Sequence, residues 1–180
     1  MISLTIARKY ARAFLEIGLQ EGNYEALGKE LQGIADLLKG NKELHGVLFS
    51  FAYPAATRKA IFQSVSQPLG LSKWTVDFIQ LLIDRERIDH LLEIARAYES
   101  LADEVAKRTR ARVVTARKLS PELLNALKGE LESVTGHEVL LSLEEDPALI
   151  GGLLTKIGNV IYDGSLKTQL LKVKENLYKE

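Results

Sequence analysis

The chain has 180 residues, 46% apolar and 27% charged. That is enough for one large folded domain or two small ones, and too apolar for intrinsic disorder. Lys plus Arg number 24 and Asp plus Glu number 24, so bulk charge favours neither nucleic acid nor an anionic membrane. Cysteine is absent, which excludes disulfides, thiolate metal sites and cysteine nucleophiles.

No apolar run reaches the roughly 18 residues that span a bilayer. The opening segment, MISLTIARKYARAF, is interrupted by Arg8, Lys9 and Arg12 and has a helical rather than a signal-peptide pattern. The expectation is a mature, cytoplasmic chain of bacterial type that meets a membrane only through partners.

In chain order, the apolar spacing predicts helices over about 3–20, 23–39, 41–51, 55–66, 72–86 and 88–107. Gly22-Asn23, Gly40-Asn41, Pro54 and Pro68-Leu69-Gly70 punctuate them. Ser72 is a natural cap for the fifth helix. The sixth carries a stripe of Ile88, Leu91, Leu92, Ala95, Tyr98, Ala102 and Val105. Short connections between six helices predict a compact N-terminal six-helix bundle over residues 1–107.

Beyond it the period changes. Residues 110–116 are short and β-branched and read as a strand. Ser120-Pro121 then opens a helix, with Leu123, Leu124, Leu127 and Leu131 on one face and Gly136 at its end. Residues 139–143 read as a second strand. Residues 149–157 and 160–162 read as a hairpin about Gly158-Asn159, placing Gly151 and Gly152 inside a strand. Asp163-Gly164-Ser165 opens a last helix with Leu166, Leu170, Leu171 and Leu177 spaced for packing. The fold class is therefore mainly α: the helical bundle followed by a small β-α-β-β-β-α module over 108–180. A module of that size is marginal alone and calls for a partner.

Two helices are more apolar than a surface position requires. On the first, Ile6, Tyr10, Ala13, Phe14 and Ile17 belong to an apolar arc roughly 200° wide, where an amphipathic helix needs about 100°. On the fifth, Trp74, Phe78, Leu81 and Leu82 cover one side, with Ile79, Ile83 and Val76 on the other. Two readings follow. The wide arcs mark helices buried on two sides in a bundle, or they form a groove for a further amphipathic helix, with Tyr10, Phe14, Trp74 and Phe78 as anchors.

Catalytic and metal chemistry is not encoded in a convincing pattern. Glu86 and His90 share a helical spacing but stand on a solvated face. Gly151-Gly152 with Lys156 lacks the Gly-Lys-Ser/Thr run of a phosphate loop. Glu144-Glu145-Asp146 precedes Pro147 as a solvated turn would. Lys107, Arg108, Arg110, Arg112, Arg117 and Lys118 cluster at the junction. Acidic neighbours Asp103 and Glu104, and the lack of stacking aromatics, favour a linker and a polar strand face over a phosphate-backbone track. No cofactor, metal or nucleic-acid partner is expected.

Ala7-Arg8-Lys9-Tyr10-Ala11-Arg12-Ala13-Phe14 resembles the opening motif of the delta subunits of F-type ATP synthases, whose mitochondrial counterpart is the oligomycin-sensitivity-conferring protein. Residues 149–165, LIGGLLTKIGNVIYDGS, resemble the C-terminal signature of the same family. Tyr162, Asn159 and the run Lys167-Thr168-Gln169-Leu170 depart from its usual residues.

The resemblance covers essentially the whole chain. It implies a non-catalytic stator subunit. Its N-terminal bundle would bind the N-terminal helices of the alpha subunits in a groove of the first and fifth helices. Carried over by position, Tyr10, Ala13, Phe14, Phe78, Leu81 and Leu82 belong to that groove. The C-terminal module, with its motif Gly151, Gly152, Gly158, Asp163, Gly164 and Ser165, would hold the peripheral-stalk b subunits at the cytoplasmic face of a bacterial plasma membrane. The alternative is a generic helix-binding scaffold.

Overall fold

The computed structural model describes residues 2–50, 52–158 and 160–177. The protein is mostly helical, with a small four-stranded mixed sheet in its C-terminal part. It divides into two compact units, Met1–Ala102 and Asp103–Glu180.

In the first unit, α1 (Ile2–Gln20) buries Ala7, Ala11, Phe14 and Leu15, the i, i+4, i+7, i+8 stripe of a helix covered on one face. It ends at Gly22, whose φ of +69° is the left-handed stop that glycine adopts without a Cβ penalty. α2 (Tyr24–Gly40) buries Leu27, Leu31, Ile34, Ala35 and Leu38. α3 (Lys42–Phe49) is capped by Asn41, which accepts from the Leu44 amide at 3.0 Å. α4 (Ala55–Ser66) follows Pro54. α5 (Lys73–Asp84) is capped by Ser72, whose hydroxyl accepts from the Thr75 amide and donates to Glu30 of α2 at 2.7 Å. One serine thus starts a helix and ties it to a neighbour.

The stripe over 88–107 does not form one continuous helix. Ile88–His90 make a 3-10 turn, and α6 runs from Leu91 to Val105. Glu86, at φ +54°, turns the chain after α5, and the Arg87 amide closes on the Leu82 carbonyl at 2.8 Å, so α-helical pairing starts later. The predicted third helix stops at Phe49, and Phe51 lies outside the described residues.

These helices share one apolar core, and Tyr98 is among its largest fully buried side chains. Its hydroxyl donates to the Tyr24 carbonyl at 2.7 Å, and burial, with Tyr24 adding to it, pushes the pKa of that hydroxyl up to about 12. The ring leans on Phe14 at 5.5 Å and comes so close to α2 that a Cβ on Gly28 would stand 2.9 Å from Cε1.

In the second unit the order is β1 (Arg108–Thr115), α7 (Pro121–Thr135), β2 (Glu138–Glu145), β3 (Leu153–Ile157), β4 (Val160–Asp163) and α8 (Leu166–Leu177). The strands lie β2-β1-β3-β4, with β1–β2 parallel and the other pairs antiparallel. Ser120 caps α7 and Gly136, at φ +68°, ends it. The last turn of α6, from Asp103, falls in this unit, where Asp103 bonds Arg110 at 2.5 Å and faces Arg108 at 3.8 Å.

The strand expected over 149–157 is shorter. Pro147–Leu149 form a 3-10 turn in which Asp146 accepts from the Ala148 amide at 2.9 Å. Ile150 and Gly152 then have φ of +65° and +76°, which breaks the extended run. Gly151 and Gly152 therefore precede β3. Asn159, expected in the hairpin turn, lies outside the described residues.

Two interior glycines of α2 make opposite predictions. Gly33 has open space where a Cβ would go, so Gly33→Ala should stabilise by about 0.5–1 kcal/mol through helix propensity. Gly28→Ala should lose that gain to the Tyr98 clash and destabilise. Urea denaturation of each variant checks the signs.

Candidate functional site

The core stripe of α1 leaves a second apolar stripe beside it: Ile6, Tyr10, Ala13 and Ile17, again spaced i, i+4, i+7, i+11. Ala13 is exposed, and the other three are half-buried, with Tyr10 and Ile17 packed on the core's edge. On α5 the same split occurs. Thr75, Phe78, Ile79, Leu82 and Ile83 are buried, while Trp74 and Leu81 stand 39% and 42% exposed.

The link between the two helices is a ring stack. Phe14 and Phe78 lie with centroids 4.2 Å apart and planes 13° from parallel. At about 100° per residue, each ring lies between its helix's core stripe and its outer stripe. The stack joins the two helices at the borders of their buried faces.

The nine groove candidates thus separate by depth. Phe14, Phe78 (7% exposed) and Leu82 belong to the core, while Ile6, Tyr10 and Ile17 are half-buried and Ala13, Trp74 and Leu81 are exposed. Asp77 is exposed on α5 between Trp74 and Leu81 and adds a charge at the edge.

The C-terminal motif has a different character. Gly152 faces the Gly164 carbonyl so closely that a Cβ there would stand 2.2 Å from the oxygen. A Cβ on Gly151 would meet Leu166 at 2.6 Å. The Gly164 amide donates to Leu153 and the Leu166 amide to Gly151, each at 3.0 Å. Asp163 accepts from the Ser165 amide at 2.9 Å and from the Thr168 hydroxyl at 2.8 Å, while buried Ser165 accepts from the Thr168 amide at 3.3 Å. Five of the six motif residues form one clamp that fixes the start of α8 against the segment leading into β3. Gly158 lies apart, at φ +55° after β3.

The family model described as ATP synthase delta (OSCP) subunit matches residues 6–177. The chain belongs to that family. ATP synthase subunit delta of Desulfatibacillum aliphaticivorans is 41% identical over 177 residues, covering 98% of this chain and 97% of the relative. That of Geobacter metallireducens is 40% identical over 179 residues, covering 99% of each. A chain of the Toxoplasma gondii mitochondrial ATP synthase hexamer shares the fold, with TM-score 0.68 at 18% identity over 96% of this chain and 97% of that one. As a delta-family member the protein is a non-catalytic subunit of ATP synthase. No helix among the described residues is long and apolar enough to cross a membrane.

In this delta-family chain the basic cluster of the junction is dispersed rather than gathered. Arg108 and Arg110 face Asp103, and Arg112 bonds Glu144 at 2.8 Å. Arg117 and Lys118 instead line a cavity that sequence reasoning missed, together with Leu123 and Leu127 of α7. The signal was present in α7: its leucines are spaced for packing, yet none of its residues is buried.

The clamp predicts an asymmetry between two left-handed glycines. Gly152→Ala should destabilise the C-terminal unit by roughly 2 kcal/mol or more, since strain and a backbone clash coincide. Gly158→Ala, with open space around it, should cost only about 1–2 kcal/mol. Amide hydrogen exchange should show α8 losing protection in Gly152→Ala while α2 keeps its own.

Proposed function

We propose that the protein is a two-handed tether in the stator of a rotary ATP synthase. The N-terminal unit, working as a six-helix bundle over about 1–107, grips the catalytic head. The C-terminal module, over about 108–180, grips the peripheral stalk. The observation that supports this reading is the partly exposed apolar stripe that each of α1 and α5 carries beside its member of the Phe14–Phe78 stack.

A seam of such stripes suits one occupant class, an amphipathic helix laid along it as a further helix of the bundle. The N-terminal helix of the alpha subunit is the proposed occupant, in keeping with family membership. Trp74, Leu81, Tyr10 and Ile17 gain burial when it docks. Phe14, Phe78 and Leu82 act from below by keeping α1 and α5 at a fixed spacing. The b subunits are the proposed partners of the C-terminal module. Attachment to the membrane then runs through those partners, at the cytoplasmic face of a bacterial plasma membrane.

The function is mechanical. The head feels the torque of the rotor, and a slack tether would let it turn. Cores locked by ring stacking and by glycine clamps resist such deformation because close-packed interiors yield little.

The depth of each candidate decides which substitution tests the groove. Phe78→Asp would put a charge in the core and threaten the fold. Leu81→Asp changes a side chain already 42% exposed, so the unit should stay folded. Calorimetric titration with a synthetic peptide of the N-terminal segment of the alpha subunit should show Leu81→Asp weakening binding by about 2–4 kcal/mol. Equal affinity, with unchanged helical circular dichroism, would remove Leu81 and the seam from the head contact.

A further inference from the structure

The chain gives the start of α5 little local support. The helix follows the turns of 67–71, in which the Gly70 amide closes on the Gln67 carbonyl at 3.1 Å and the Leu71 amide reaches Ser66 only at 3.5 Å. Its first turn carries no acidic residue, and its first helical position is Lys73. The partial positive charge of a helix N-terminus favours anions, so Lys73 brings the wrong sign. Ser72 supplies half of a capping box, its hydroxyl accepting from the Thr75 amide at 3.3 Å. In a complete box, a Glu or Gln three residues after the cap accepts in return from the amide of the cap residue. Here that position holds Thr75, a neutral side chain that is fully buried.

The other half of the box comes from a different helix. One carboxylate oxygen of Glu30, half-buried on α2, accepts from the Ser72 amide at 3.1 Å and from the Ser72 hydroxyl at 2.7 Å. Thr75 Oγ1 lies 3.1 Å from the same hydroxyl, so carboxylate, cap and buried threonine form one cluster. Glu30 stands on firm ground, because Leu27 and Leu31, which bracket it in α2, are fully buried in the core. Its carboxylate combines two effects that a local cap separates. It places negative charge at the start of α5, and it ties that start to α2.

Trp74 lies two residues beyond the cap, in the first turn, and is 39% exposed. A side chain carried on a frayed turn has to be ordered when a partner docks, and that ordering costs affinity. We infer that Glu30 is a positioning residue for the head contact: from α2 it completes the cap of α5 and sets where the first turn, with Trp74, stands. The inference rests on the proposed docking of the head on α1 and α5, and adds the residue that prepares α5 for it. Glu30 acts through Ser72.

Three variants of the full-length chain test this role: Glu30→Gln, Glu30→Ala, and Glu30→Ala combined with Ser72→Asp. Gln keeps the size and an acceptor oxygen, and Ala suits a mid-helix position, so the amides of Leu27 and Leu31 should keep their protection from exchange. The double variant returns a strong cap to α5 without the tie to α2. In the free protein, exchange at the Thr75 and Val76 amides should quicken in Glu30→Ala and recover in the double variant. Exchange that changes equally throughout the unit, or nowhere, would overturn the role. In calorimetric titration with the synthetic peptide of the alpha subunit's N-terminal segment, Glu30→Ala should bind roughly three- to tenfold more weakly than wild type. Glu30→Gln should lose less, and the double variant should stay as weak as Glu30→Ala. Full recovery of affinity in the double variant would reduce Glu30 to a helix cap and overturn the inference, as would wild-type affinity in Glu30→Ala. Either result leaves the head contact standing, whereas a wild type that fails to bind would overturn the head contact and the inference together.

Discussion

The stack of Phe14 on Phe78 is the contact on which the N-terminal unit's surface depends. Each ring lies at the border between buried and exposed faces of its helix. Tyr98 supports Phe14 from within and is itself anchored on the Tyr24 carbonyl. Gly28 leaves room for that tyrosine. Core packing on one side therefore fixes the ring pair that joins α1 to α5. Offset-stacked rings add only about 0.5–1.5 kcal/mol beyond their burial. Their larger effect is geometric, because a seam between two helices is useful to a partner only at one width.

The C-terminal unit solves a different problem. It is small, its α7 buries nothing completely, and β4 is exposed along its length. Its order is held locally, by the Gly152–Gly164 approach, the Asp163 and Ser165 caps, and ion pairs such as Arg112 with Glu144. Apolar area left open on such a unit is consistent with a fold whose stability is completed by binding. A tether benefits from this arrangement, since the same contacts fasten the partner and finish the module.

Much of this was legible in the sequence because its causes are local. Ser72 and Ser120 announce their helices through caps that reach only three residues, and Pro121 fits a first helical turn whatever surrounds it. The apolar periods of α1 and α5 likewise follow from composition along one helix. Depth was not legible. Phe78 and Trp74 occupy one arc, yet the first is buried in the core and stacked on Phe14 while the second is 39% exposed. Gly151 and Gly152 read as strand because apolar residues surround them; a contact with Gly164, beyond the hairpin, turns them into a loop. Arg117 and Lys118 read as part of a basic linker because their neighbours in sequence are basic, whereas the fold gives those neighbours acidic partners and leaves these two at a cavity.

The proposed tether holds two partners by two separate surfaces. Trp74, the sole tryptophan, is 39% exposed on α5 and would report on a helix docked at the proposed seam. Its emission should be followed while the full chain is titrated with the head peptide, taken from the N-terminal segment of the alpha subunit. The titration is run first alone and then with the stalk peptide, from the C-terminal segment of the b protein, at saturation. A saturable change with the same midpoint is expected in both titrations. An unresponsive Trp74, or a stalk peptide that competes with the head peptide, would contradict it.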